Sequence, residues 1–357
     1  MENFMKDIFV KVGVPAEEAA ICANVLIESD KRGIDSHGIG RFKPIYLDRI
    51  KEGIQQPITR FEVVKEGPTT AVVDGHDGMG QVIGKKSMQM AIDKARQYGM
   101  GMVAVRNSTH YGIAGYYATM AADAGMIGIT GTNARPSIAP TFGVENMLGT
   151  NPLTIGLPSD EAFPFCIDCA TSITQRGKIE NYDRIGKTMP SGWVIDREGN
   201  AVTDTALALE GLTEGSCALT PLGGIGEETA GYKGYGYATV VEILSAALQQ
   251  GAFLKALSGI DASGKKVPYH LGHFFMAIDI AAFIELDKFK KTVGDILREL
   301  RASQKAKGES RIYTAGEKEY LAYQERKVKG LPINEALQKT FKGLVAEYGM
   351  SDYQFNW

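Results

Sequence analysis

The sequence predicts an α+β fold that lacks a doubly wound dinucleotide-binding unit. Three observations carry that expectation. Strand-like and helix-like segments mingle without the strict alternation that builds a parallel sheet. Gly99-Met100-Gly101-Met102-Val103-Ala104 matches G-x-G-x-x-A, but a helical pattern precedes it and a strand follows. That is the reverse of the order that seats a pyrophosphate on a helix N-terminus. In Gly78-Met79-Gly80 the third glycine is displaced to Gly84, and no P-loop pattern occurs. A chain of 357 residues exceeds one ordinary core. A central mixed or mostly antiparallel sheet is expected within residues 69–280, with 1–68 and 281–357 packing together as a helical domain.

The elements follow in order. Residues 15–31 read as a helix: Pro15 suits a first turn, Glu17 and Glu18 complement the helix dipole, and Ile21, Cys22, Val25 and Leu26 form an apolar stripe. Residues 42–51 read as a second helix. Residues 70–74 are a strand that runs into the Gly75-His76-Asp77-Gly78 turn. Then come a helix over 82–98, a strand over 101–105, a helix of small residues over 113–124 and a strand over 126–130. Residues 153–157 and 163–167 are strands about a Pro158-Ser159-Asp160 turn. Residues 173–232, rich in Gly, Thr and polar side chains, read as irregular exposed connections. Helices over 235–250, 284–306 and 334–348 and a strand over 274–280 complete the chain.

A 44% hydrophobic and 23% charged composition is that of a soluble globular protein. The 39 basic and 42 acidic residues give a net charge of −3 without long basic runs, which argues against nucleic acid or anionic membrane as a partner. No apolar run approaches the ~20 residues that span a bilayer. The N-terminal residues carry acids early and show no secretory pattern, so a cytoplasmic location is expected. Cys166-Ile167-Asp168-Cys169 is formally C-x-x-C, but its setting reads as a buried strand, with the two thiols on opposite faces. Neither a second pair nor a neighbouring histidine completes a metal site, and reduced, buried thiols are expected.

Asp35-Ser36-His37-Gly38-Ile39-Gly40-Arg41 concentrates the chemistry. It sets a hydroxyl, an imidazole and a guanidinium within seven residues. Histidine moves protons near neutral pH, and arginine grips a carboxylate through paired hydrogen bonds. The bland alternative is that Ser36 caps a helix, His37 packs and Arg41 is solvated. Four further loops offer donors to an anion: Asn107-Ser108-Thr109-His110-Tyr111-Gly112, which opens the 113–124 helix; Gly131-Thr132-Asn133-Ala134; Gly149-Thr150-Asn151-Pro152; and Tyr232-Lys233-Gly234-Tyr235-Gly236. Together they point to a large phosphate-bearing cofactor. His76, His270 and His273 lie in turns or beside a strand and read as structural.

Six motifs in order resemble one family: Asp35-Ser36-His37-Gly38, Asn107-Ser108-Thr109-His110, Leu148-Gly149-Thr150-Asn151-Pro152, Asp168-Cys169-Ala170-Thr171-Ser172 with Gly177-Lys178-Ile179, Tyr232-Lys233-Gly234-Tyr235-Gly236, and Gly272-His273-Phe274-Phe275. Over nearly its whole length the chain resembles the malate/L-lactate dehydrogenases of non-Rossmann type. Relatives of that family act on ureidoglycolate, sulfolactate, diketogulonate and a cyclic imino acid. The resemblance implies a homodimer that interconverts a small 2-hydroxy acid and its 2-oxo acid with NAD, or NADP, bound in the 69–280 domain. Malate is the expected substrate, with L-lactate, ureidoglycolate or sulfolactate as alternatives.

By the matching motifs, Ser36, His37 and His110 are implied to be catalytic, while Arg41 and Thr150 bind substrate. His110, Tyr111, Gly112, Ile113, Ala114, Asp168, Cys169, Ala170, Lys233, Gly234, Gly316 and Glu317 contact the cofactor. Ala315 departs from the family's usual proline in that last turn, Tyr232 from a frequent histidine and Glu242 from a frequent aspartate. Arg176 and Lys178 argue against the imino-acid branch. Two other classes compete: a metal hydrolase using His37, His110 and Asp168, and a ligand-binding protein without chemistry. No metal-binding cluster motif supports the first, and retention of both histidines and the arginine argues against the second.

Overall fold

A computed structural model describes residues 1–355 and 357. The chain begins with α1 (Glu2–Lys11) and α2 (Ala16–Lys31), followed by a 3₁₀ turn (Ile39–Arg41), a π-helical turn (Phe42–Leu47) and α3 (Asp48–Lys51). Next come β1 (Glu62–Glu66), β2 (Thr70–Asp74), α4 (Gly80–Tyr98), β3 (Met100–Ser108), α5 (Ala114–Asp123), β4 (Met126–Thr132), β5 (Leu153–Leu157) and β6 (Phe165–Cys169). After α6 (Arg176–Arg184), β7 (Val194–Ile195), β8 (Ala201–Val202), α7 (Thr205–Glu214) and β9 (Ala218–Leu219), the chain forms α8 (Gly231–Ala246) and β10 (Leu271–Asp279). It closes with α9 (Leu286–Ala302), α10 (Glu317–Lys329) and α11 (Glu335–Glu347).

The principal sheet runs β1-β2-β3-β10-β4-β5-β6. Only β2 and β3 pair in parallel, joined by α4; every other pairing is antiparallel. This is the mixed, mostly antiparallel sheet expected. Gly99, at φ +84, turns α4 back into β3, so the G-x-G-x-x-A match is a helix-to-strand turn. Helices α4 and α5 cover one face and α8 the other. They approach closely because glycine stands at the crossings. A Cβ at Gly128 would lie 2.5 Å from the Ala118 carbonyl, and one at Gly272 would lie 1.6 Å from that of Ser245.

A second core joins the two ends of the chain, where Phe4, Phe9, Phe42 and Tyr46 pack with Phe341 and Leu344. Strand β1 belongs to the sheet, and α9 lies against the β5–β6 turn, where Arg298 pairs with Asp160 at 2.9 Å.

Residues 173–232 are not the irregular connections expected. They form α6, α7 and the small sheet β8-β7-β9 about a core that includes Ile179, Trp193, Val194, Ala208 and Leu219. Two-residue strands are too short to show alternation, which is why composition misled there. The thiols also differ from expectation: Cys22 and Cys217 are buried, whereas Cys166 and Cys169 are partly exposed.

Candidate active site

The loop after α2 is folded by its own short-range bonds. His37 N–H donates to the Ile34 carbonyl at 3.1 Å and Arg41 N–H to Gly38 at 2.9 Å. Ser36 Oγ lies 2.8 Å from His37 Nδ1, and Arg41 Nε donates to the Ser36 carbonyl at 2.5 Å. Because Nε is used, the two terminal nitrogens of Arg41 are the ones able to grip a carboxylate end-on.

His110 arrives from the end of β3, and the tertiary fold stacks its ring on His37, with centroids 5.6 Å apart and planes 15° off parallel. The Tyr46 hydroxyl lies 2.6 Å from His110 Nδ1, and Gly112 N–H points at the same nitrogen from 3.3 Å. Nδ1 is therefore an acceptor, and the neutral ring carries its hydrogen on Nε2. Burial holds both imidazoles neutral. His37 falls to about 4 through desolvation and then the Arg41 charge, and His110 lies well below the ordinary range through desolvation and then its neighbours His37, Arg49 and Arg41. Tyr46, unremarked in the sequence, is thus part of the site. Its spacing from His37 in the chain carries no signal, since its partner is 64 residues away.

The implied cofactor residues are not gathered in one place. Ile113, Asp168 and Gly316 line one pocket of about 250 Å³ with Glu28, Arg32 and Tyr320. Asp123 and Glu319 also border it, as do the rings of Phe163 and Tyr323. Gly316 reaches the pocket beside β6, where Cys166 N–H donates to the carbonyl of the preceding Ala315 at 3.4 Å. Glu317 is buried beside that turn, paired with Arg311 and accepting the Thr314 N–H. Tyr111 and Ala114 are buried, Tyr111 stacking on His273 at 4.5 Å, and Gly112 makes the turn between them at φ +84.

Cys169 ends β6 and Ala170 follows it, neither lining the pocket. Thr171, just beyond, donates to the Thr150 carbonyl at 2.9 Å. Lys233 is exposed on the first turn of α8, where Gly234 lies against the backbone of Leu222.

The donor loops proposed for phosphate are largely satisfied within the protein. Asp168 accepts Gly115 N–H at 2.7 Å and Thr154 Oγ1 at 3.0 Å, so a carboxylate already occupies the α5 N-terminus. Asn133 bonds Ala252 and Gly272, and Asn151 bonds Ala238 and Glu242. Sequence alone reads these amides as free donors because their partners are distant in the chain. His273 is structural, with both ring nitrogens 2.7 Å from the hydroxyls of Thr132 and Ser108. Among the described residues no group of three or more His, Cys, Asp or Glu is placed to hold a metal ion. No helix among them is long and apolar enough to cross a membrane.

Comparison with known proteins identifies the family. The family model described as malate/L-lactate dehydrogenase matches residues 1–342. A malate dehydrogenase of Pyrococcus horikoshii is 43% identical over 98% of this chain and 94% of its own length. An L-sulfolactate dehydrogenase of Methanocaldococcus jannaschii is 40% identical over 97% of this chain and 94% of its own. The crystal structure of malate dehydrogenase from Entamoeba histolytica superposes with a TM-score of 0.95 at 46% identity, covering 100% of this chain and 97% of that one. With a matching fold, the expected motifs and full-length relatives, the chain belongs to the malate/L-lactate dehydrogenase family.

Proposed function

We propose that this protein interconverts a small 2-hydroxy acid and its 2-oxo acid with a nicotinamide cofactor, malate and oxaloacetate being the preferred pair. The observation that carries the reading is the stacked pair His37–His110 beside Arg41, joined from sequence positions 73 residues apart (110 − 37). The close full-length malate dehydrogenase relatives support the choice of malate. Arg41 binds the substrate carboxylate, and Thr150 on its half-buried loop contacts the remainder. Ser36 accepts from His37 Nδ1, which leaves Nε2 of His37 free to take the hydroxyl proton. His110 Nε2–H donates to the same oxygen and holds it. The imidazolium that forms is favoured once the substrate's negative charge offsets Arg41. The bound cofactor supplies the hydride acceptor in one direction and the donor in the other.

The Asp168–Gly316 pocket, at the junction of the proposed 1–68/281–357 and 69–280 domains, suits a nucleotide half. The Phe163, Tyr320 and Tyr323 rings offer flat apolar surface, and the carboxylates accept from ribose hydroxyls. Its lining holds Glu28, Asp123, Asp168 and Glu319 against the single cation Arg32. That balance disfavours a 2′-phosphate, so NAD is preferred over NADP. A homodimer and a cytoplasmic location complete the reading. Tyr237, Val240 and Ile243 expose apolar surface on one side of α8 that a second copy would cover.

The test follows absorbance of the reduced cofactor with oxaloacetate, pyruvate or sulfopyruvate, alongside sedimentation of the same protein. Oxaloacetate with NADH on a two-chain particle is expected. His37→Ala should lower kcat by about 10²-fold or more, as for a lost acid/base group, and His110→Ala should lower it less. Reduction of none of the three oxo acids with either cofactor would sink the enzyme reading. Near-normal turnover in both variants would remove the proton relay.

A further inference from the structure

The loop bearing His37 and Arg41 is latched by Asp30 and by Arg326. Asp30, in the last turn of α2, is 4% exposed, and its Oδ2 accepts Ile39 N–H at 2.6 Å. Ile39 opens the 3₁₀ turn that carries Arg41. The Gly38 backbone lies flat on the same carboxylate: a Cβ there would fall 2.1 Å from Oδ2. His37 and Arg41 therefore hang on either side of one anchored peptide. A second latch comes from α10. Arg326, in its last turn, donates to the Asp30 carbonyl and to both carboxylate oxygens of Asp35, one of them at 3.0 Å. The first turns of α10 supply Glu319, Tyr320 and Tyr323 to the pocket, so one helix touches the pocket and the loop.

We propose that Asp30 and Arg326 are positioning residues for catalysis. Asp30 holds the Gly38–Ile39 peptide and Arg326 holds Asp35, so that the His37 imidazole and the Arg41 guanidinium address one substrate molecule. This rests on the reading of His37 and Arg41 as the substrate site. Burial pushes the Asp30 carboxyl up to about 7, which makes the neutral amide of asparagine a close mimic. What the loop needs from residue 30 is an acceptor for Ile39 N–H. Leucine has a similar shape without one.

Asp30→Asn, Asp30→Leu and Gly38→Ala are compared in the full-length protein for kcat, KM of the oxo acid, NADH affinity by fluorescence, and melting. Asp30→Asn should stay within about threefold of wild-type kcat. Asp30→Leu should lose about 10-fold or more, because displacing a catalytic group by a fraction of an ångström to one ångström is costly, while NADH affinity is unchanged. Gly38→Ala pushes the loop off an intact Asp30. It should show the same kcat loss, and it carries the test if Asp30→Leu does not fold. Arg326→Met should show a smaller loss of the same kind. Folded Asp30→Leu or Gly38→Ala protein with wild-type kcat would overturn the proposal, and so would Asp30→Asn as poor as Asp30→Leu. An undamaged His37→Ala enzyme would instead overturn the site reading beneath it. A damaged His37→Ala beside a normal Asp30→Leu overturns the positioning alone.

Discussion

His37 is an imidazole built to stay neutral, and its pH behaviour follows from that. Its folded value of about 4 lies below the ordinary 6.5 of an unfolded chain, chiefly through burial. Between those limits the unfolded chain binds the extra proton. The contribution to stability is therefore complete above about pH 6.5 and is lost as pH falls toward 4. In catalysis, kcat/KM for 2-hydroxy-acid oxidation reports the free enzyme, so its acid limb should lie well below pH 6. Arg41→Lys keeps the charge. It should raise KM through the lost fork without moving that limb, whereas Arg41→Leu should raise KM and shift the limb upward. A wild-type limb near 6.5 would contradict the burial of His37. At this scale the sequence was readable where chemistry is local: Ser36, His37 and Arg41 stand in seven residues and bond one another. Tyr46 and Asp30 were not. Tyr46 acquires its role only when the chain brings His110 from 64 residues away, and Asp30 only when the loop folds back to set the Ile39 N–H on its carboxylate.

Helix α5 shows the same contrast one level up. Its span was readable from small-residue periodicity, but the occupant of its N-terminus was not, because Asp168 lies 53 residues from Gly115. Removing that carboxylate leaves Gly115 N–H and the Thr154 hydroxyl without their acceptor. Asp168→Ala should cost about 1–3 kcal/mol. That lowers the melting temperature by several degrees at the scale of about 2–4 °C per kcal/mol for larger domains. Asp168→Asn, which retains one acceptor, should fall between. An unshifted melt for Asp168→Ala would mean that the cap carries no stability. Residues 173–232 were misread for a different reason. Their core residues Ile179, Trp193 and Ala208 are too widely spaced to form a periodic pattern, and they become a core only against Ile138 and Leu148 from outside the segment.

Across the whole molecule, the class of the sheet could be read from the sequence, but its order could not. Strand β10 reads locally as a strand, yet nothing in Leu271–Asp279 says that it lies between β3 and β4. That position governs how the protein can be made. β4 ends at Thr132 and β10 begins at Leu271, so the middle rung arrives long after its neighbours have left the ribosome. Until it arrives, β1–β3 and β4–β6 are two half-sheets, each presenting an unpaired edge where β10 will lie. Assembly is therefore delayed until nearly the whole chain is synthesised, and the long loop closure makes the step slow and prone to aggregation. A fragment ending at residue 265 should be insoluble or melt without cooperativity, and a cooperative melt from it would contradict this. Translational arrest anywhere between residues 170 and 270 leaves the cell a sticky pair of half-sheets rather than a smaller working protein.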